Sequence, residues 1–150
     1  MKNRIFRVVT GVAGVYHILL AAAGFLCPAD TVAKLVGMAF GIDLDLDADP
    51  QLALIVKFVS VYMLAFGVML LVLSSNPIQY RAFAIPALVL FGLRLVTRIL
   101  FFSMLTSAGM SVSRNVIGTG LIFIFFAAIL FSLPTKQHEG QEHASGNAIE

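Results

Sequence analysis

Four ionisable side chains stand inside long apolar stretches of this sequence: His17, Lys57, Arg94 and Arg98. An ionised group in hydrocarbon costs about 2.5–3.5 kcal/mol on insertion scales, so such residues face protein or a water-filled cavity and mark candidate function. Arg94 and Arg98 are four apart, which places them on one helix face with Ala87 and Phe91. That face is expected to point into the molecule. Guanidinium and ammonium groups hold carboxylate, phosphate or carbonyl oxygens, and a histidine beside them can donate a hydrogen bond or exchange a proton. His17, Lys57, Arg94 and Arg98 therefore form the candidate ligand-binding set, suited to an anionic or carbonyl-bearing molecule such as a lipid headgroup or a quinone. A purely structural role competes with this. In it Lys57 and Arg98 extend to the membrane interface or pair with nearby aspartates, while His17 and Tyr16 sit in an ordinary packed core.

Other chemistries find less support. Cys27 is the only cysteine, so no intrachain disulfide or Cys-x-x-Cys site can form. Ser103, Ser107, Ser111 and Ser113 have no base and orienting acid at a recognisable spacing. Asp43, Asp45, Asp47 and Asp49 alternate with apolar residues, yet the glycine and terminal glutamate of a calcium loop are missing. His138, Glu139, Glu142 and His143 lie in a polar tail, where such spacing is unspecific for metal. No catalytic residue and no metal site is assigned, and no cofactor is expected beyond a possible quinone. A formal net charge of +2, with Lys and Arg scattered through apolar sequence, argues against nucleic acid.

The elements that must position these residues follow from the apolar runs. Of 150 residues, 59% are hydrophobic and only 12% charged, and mean hydropathy is +0.95, well outside the soluble norm. A helix crossing the hydrocarbon core needs about 20 mostly apolar residues, and four segments qualify: 8–27, 52–73, 83–105 and 116–133. Turn formers close each one: Pro28 and Asp30 after the first, Ser74 to Pro77 after the second, Thr106 to Gly109 after the third, and Pro134 after the last. The expectation is an all-α integral membrane domain over 1–135, an up-down-up-down four-helix bundle, followed by a polar, disordered tail over 136–150. Thr10, Gly14, His17, Ala21 and Gly24 share one stripe of the first span, where small residues permit close helix approach. Lys57, Ser60, Leu64 and Gly67 form a stripe on the second span, and Asn115, Thr119, Ile122 and Phe126 one on the fourth. Together these stripes would line a narrow basic cavity in the outer half of the membrane.

Lys2, Arg4, Arg7, Arg81 and Lys136 fall on one side of the spans, against Lys34 and Arg114 on the other. The positive-inside rule then puts both termini in the cytoplasm and the aspartate-rich loop outside. In that loop, Thr31 to Ile42 reads as an interfacial helix turning Val32, Leu35, Val36 and Phe40 toward lipid. An alternative reading makes the N-terminus a cleaved signal peptide, with Ala21 to Ala23 before the cut.

The chain resembles the small bacterial four-helix membrane proteins of the DoxX-like type, including the BphX-like group. The likeness lies in the basic start Arg4 to Arg7 leading into Thr10-Gly11-Val12, Pro28 after the first span, Tyr62 with Gly67, Asn76-Pro77 with Tyr80-Arg81, and Arg94 with Arg98. It implies a bacterial inner-membrane location and, for some members, association with quinone-linked oxidoreductase complexes. It carries over no catalytic residue. Three functions remain open. A non-catalytic membrane subunit or scaffold, with a membrane or peripheral protein partner or further copies of itself, fits the absence of catalytic machinery. A protein binding or transporting a quinone, lipid or small anion fits the basic cluster. A membrane subunit of an oxidoreductase would take its chemistry from a soluble partner.

Overall fold

The computed structural model describes residues 2–40, 45–46 and 49–133; Asp43, Asp47 and the 136–150 tail, with its histidines and glutamates, lie outside them. The described chain is helical, with no strand among the described residues. In order come α1 (Lys2–Leu26), α2 (Ala29–Phe40), α3 (Pro50–Ser75), a 3-10 turn (Arg81–Phe83), α4 (Ala84–Leu100), α5 (Phe102–Ser107) and α6 (Val112–Ser132). Four stretches are long and apolar enough to cross a membrane: Asn3–Leu26, Pro50–Ser75, Arg81–Leu100 and Val112–Ser132. At ~1.5 Å per residue the 26-residue α3 extends about 39 Å, more than a hydrocarbon core requires.

Local chemistry sets the helix ends. Asp49 caps α3, its carboxylate accepting from the Gln51 and Leu52 amides at 3.0 Å, and Pro50 opens the helix where its missing N–H costs nothing. Ser111 caps α6 by accepting from the Arg114 amide. The helices extend past the apolar runs where polar residues continue them, back to Lys2 in α1 and to Val112 in α6.

The third span corrects the sequence reading. It ends at Leu100 rather than running to Leu105, and Phe101 (φ −101°, ψ 23°) turns the chain into α5. Neither proline nor glycine marks this break, so an apolar run could not reveal it. Gly109, at φ 97°, then makes the turn toward α6 with a backbone conformation that favours glycine.

Two antiparallel pairs make up the structure. The start of α1 meets the end of α3 and the end of α1 meets its start, as Arg7 binding Ser74 and Lys57 binding Phe25 record. In the same sense, Arg98 of α4 meets Asn115 near the start of α6, and Gly92 lies beside Phe126 further along it. α1 packs on α6 and joins the pairs, whereas α3 and α4 meet only thinly. The apolar core, with Phe6, Leu70, Leu73, Ala84 and Ile129 at its centre, fills the end where α1 and α4 begin and α3 and α6 finish. Large apolar side chains also cover the outside: Leu26, Tyr62 and Phe131 are 76%, 75% and 77% exposed. Such a mantle suits a hydrocarbon surrounding.

Helix α2 departs from the expected interfacial orientation in one respect. Val32 is buried rather than turned outward, and Arg114 of α6 donates to the Gly37 carbonyl at 2.8 Å. Phe40's side chain and Ile42 lie outside the described residues.

Candidate functional site

The buried stripe of α1 forms as its small residues require. Thr10, Ala13, Gly14, His17, Ala21 and Gly24 are all buried, and a β-carbon at Gly14 would sit 2.9 Å from the Gly67 carbonyl oxygen. On α3, Ser60 and Gly67 are buried against this stripe, while Leu64 turns outward at 44% exposure. This close approach brings His17 to a level where three helices converge.

There His17 is 3% exposed. Its Nδ1 lies 2.7 Å from the Ala13 carbonyl, and its Nε2 lies 2.7 Å from Arg94 Nη1 of α4. A carbonyl only accepts and a guanidinium only donates, so Nδ1 carries the proton and Nε2 presents its lone pair to Arg94. Rings of Phe66 and Phe91 meet the imidazole edge-on, with centroids at 5.0 and 6.1 Å, and Tyr16 does so at 5.5 Å. Arg94 also lies over the Phe66 ring, 5.9 Å from its centroid, within cation–π range. The face expected to point inward does so: Ala87 and Phe91 are buried, and Arg94 and Arg98 continue it.

Arg98, one turn further, donates from Nη1 to the Asn115 side-chain oxygen at 3.2 Å and more distantly to its carbonyl. Gly118 leaves room for this guanidinium, since a β-carbon there would lie 2.5 Å from Nη1. Asn115 is fully buried, and its side-chain NH₂ has no partner among the described residues. With Arg98 occupying the oxygen, an amide flip would not relieve it.

Lys57 stands apart from this group. Its ammonium donates to the Phe25 carbonyl at 2.8 Å and the Cys27 carbonyl at 3.4 Å, so it satisfies acceptors at the end of α1. Arg7 does the same for Ser74 at the end of α3, and Arg114 for Gly37 near the end of α2. Three cations are thus used on helix C-terminal carbonyls. Asp49, a suggested counterion, is committed to the α3 cap, and Asp30 pairs with Lys34 at 3.8 Å on α2.

The thin α3–α4 contact leaves a cleft of ≈ 510 Å³. Val59, Tyr62, Met63, Phe66 and Met69 line it from α3 at spacings of three and four, and Leu90 and Arg94 from α4. Arg94 therefore has two faces: one bond inward to His17, and a position on an apolar cleft open at the side of the molecule. A second hollow of ≈ 280 Å³, lined by Arg98, Ile99, Phe102, Val116 and Thr119, lies between α4 and α6. Sequence alone does not mark Tyr62, Met63 and Met69 as lining a site. Their spacing was visible, but nothing in it says which neighbour fails to cover them. No group of His, Cys, Asp and Glu suitable for a metal occurs among the described residues.

No protein-family model, curated protein or solved structure matches this chain.

Proposed function

We propose that the chain is a multi-pass membrane protein of up-down-up-down topology that binds an anionic amphiphile, a carboxylate or phosphate head on an apolar tail, through the α3–α4 cleft. One observation carries the reading: a guanidinium anchored from behind by His17 lines an apolar cleft that opens at the side of the molecule. Arg94 offers N–H donors to an oxyanion where little water competes, and the Val59, Met63, Met69 and Leu90 side chains offer a surface for the tail. The distribution of Lys and Arg supports cytoplasmic termini and a site in the outer half of the bilayer.

The test is to purify the protein in native-lipid particles and identify retained small molecules by mass spectrometry, comparing wild type with Arg94→Leu. The expected result is a specifically retained anionic amphiphile that the variant loses while a melting curve shows it still folded. A quinone retained and lost in the same way would identify a neutral-headed ligand for the cleft and replace the anion. No specific ligand but a stoichiometric protein partner would overturn the reading in favour of a scaffold.

A further inference from the structure

We propose that anion binding at Arg94 is coupled to uptake of one proton by His17, so that the site is a proton-linked anion receptor. This rests on the ligand reading above and adds a coupled second ligand, the proton.

The imidazole makes two bonds. Nδ1–H is committed to the Ala13 carbonyl, so the next proton can enter only at Nε2. That position faces Arg94 Nη1 at 2.7 Å. With the site empty, a proton there would set N–H against N–H and one positive charge against another in a mostly apolar enclosure. The groups around His17 offer no described carboxylate to offset it. Tyr16 comes from α1 itself, Phe66 from α3, and Phe91 and Arg94 from α4, with Arg98 a turn beyond and held by Asn115 of α6. Protonation and the inner Arg94 bond exclude one another.

An oxyanion on Arg94 removes that conflict. It supplies the missing negative charge and an acceptor for the guanidinium, which turns outward and frees Nε2. The solvent proton then added to Nε2 gives His17 a second donor, aimed at the same anion. The overall step is site plus anion plus one proton giving the occupied site, and no bond other than N–H forms or breaks. Coupling is reciprocal: an anion that favours protonation of His17 must bind more tightly to the protonated site. Affinity therefore rises as pH falls.

The experiment measures binding of a long-chain alkanesulfonate, whose charge is constant over the range, to the full-length protein in neutral-lipid nanodiscs from about pH 8 to pH 5. Wild type should bind more tightly at lower pH, approaching about tenfold per pH unit where one proton is taken up. Addition of the sulfonate to weakly buffered wild-type protein should raise the solution pH, with uptake of up to one proton per ligand. His17→Gln keeps an acceptor for Arg94 and should bind with a flat pH profile. Wild-type binding that is independent of pH, without proton uptake, overturns the coupling and leaves the ligand site standing. An unchanged pH slope in His17→Gln overturns the assignment to His17. Failure of folded wild type to bind the sulfonate at every pH overturns the anion-binding reading itself. Because the uptake measurement uses wild type, the coupling stays falsifiable even where the variant does not fold.

Discussion

Helix α3 meets α1 on one side and α4 on the other, and the two seams are built from opposite materials. Toward α1 it presents Ser60 and Gly67, which lie against Gly24 and Gly14, so the two backbones approach until a single β-carbon would collide. Toward α4 it presents Met63, Phe66 and Met69, bulky side chains that line a cleft between the two helices. The first seam gains dispersion contacts along its whole length; the second gives up part of that contact and leaves a half-buried guanidinium lining the gap. Glycine spacing thus decides where the molecule is closed, and the positions of bulky residues decide where it can admit a ligand.

Substitutions on the two sides of α3 should separate these roles. The largest effect on stability is expected at the closed seam. Gly67→Val places carbon near the Gly14 carbonyl and against Ile18, where backbone cannot yield, and should cost about 3 kcal/mol in a reversible denaturation series. Two positions away Ala65 also lines the cleft, and Ala65→Phe fills it instead. It should lower amphiphile affinity at least about tenfold while changing stability by less than about 1 kcal/mol, as measured by ligand titration beside a melting curve. Equal losses of stability from both would show that the seams do not differ. The smallest effect is expected at Gly118, where an alanine meets the far end of the flexible Arg98 side chain. Gly118→Ala should shift Arg98 off Asn115 at a cost of about 0.5 kcal/mol, seen as a small fall in melting temperature with the α3–α4 cleft still binding.

The same contrast explains what could be read from sequence. The four long helices, the inward face of Arg94 and Arg98 and the small-residue stripe of α1 follow from composition and helical period, which are local properties. The pairing of His17 with Arg94 joins residues 77 apart and depends on how closely α1 and α4 pack. Lys57 shows the limit most clearly. Its place on a stripe with Ser60 and Gly67 suggested a ligand site, yet its long side chain reaches the end of α1 and binds carbonyls that the helix leaves open. Helix period fixes the side of α3 on which Lys57 stands, while the nearest unsatisfied acceptor fixes what it binds. The break at Phe101 was hidden for a related reason, since its amide still donates to Thr97 and no helix-breaking residue announces the turn.

Mapping where an anionic amphiphile sits tests the α3–α4 cleft most directly. A fatty acid carrying a photoreactive group along its chain would be crosslinked to the protein in nanodiscs, and the modified peptides identified by mass spectrometry. The predicted result is adducts concentrated at Val59, Tyr62, Met63, Met69 and Leu90, reduced in Arg94→Leu. Adducts spread evenly over the exposed faces of α1 and α6, with no change in Arg94→Leu, would contradict it.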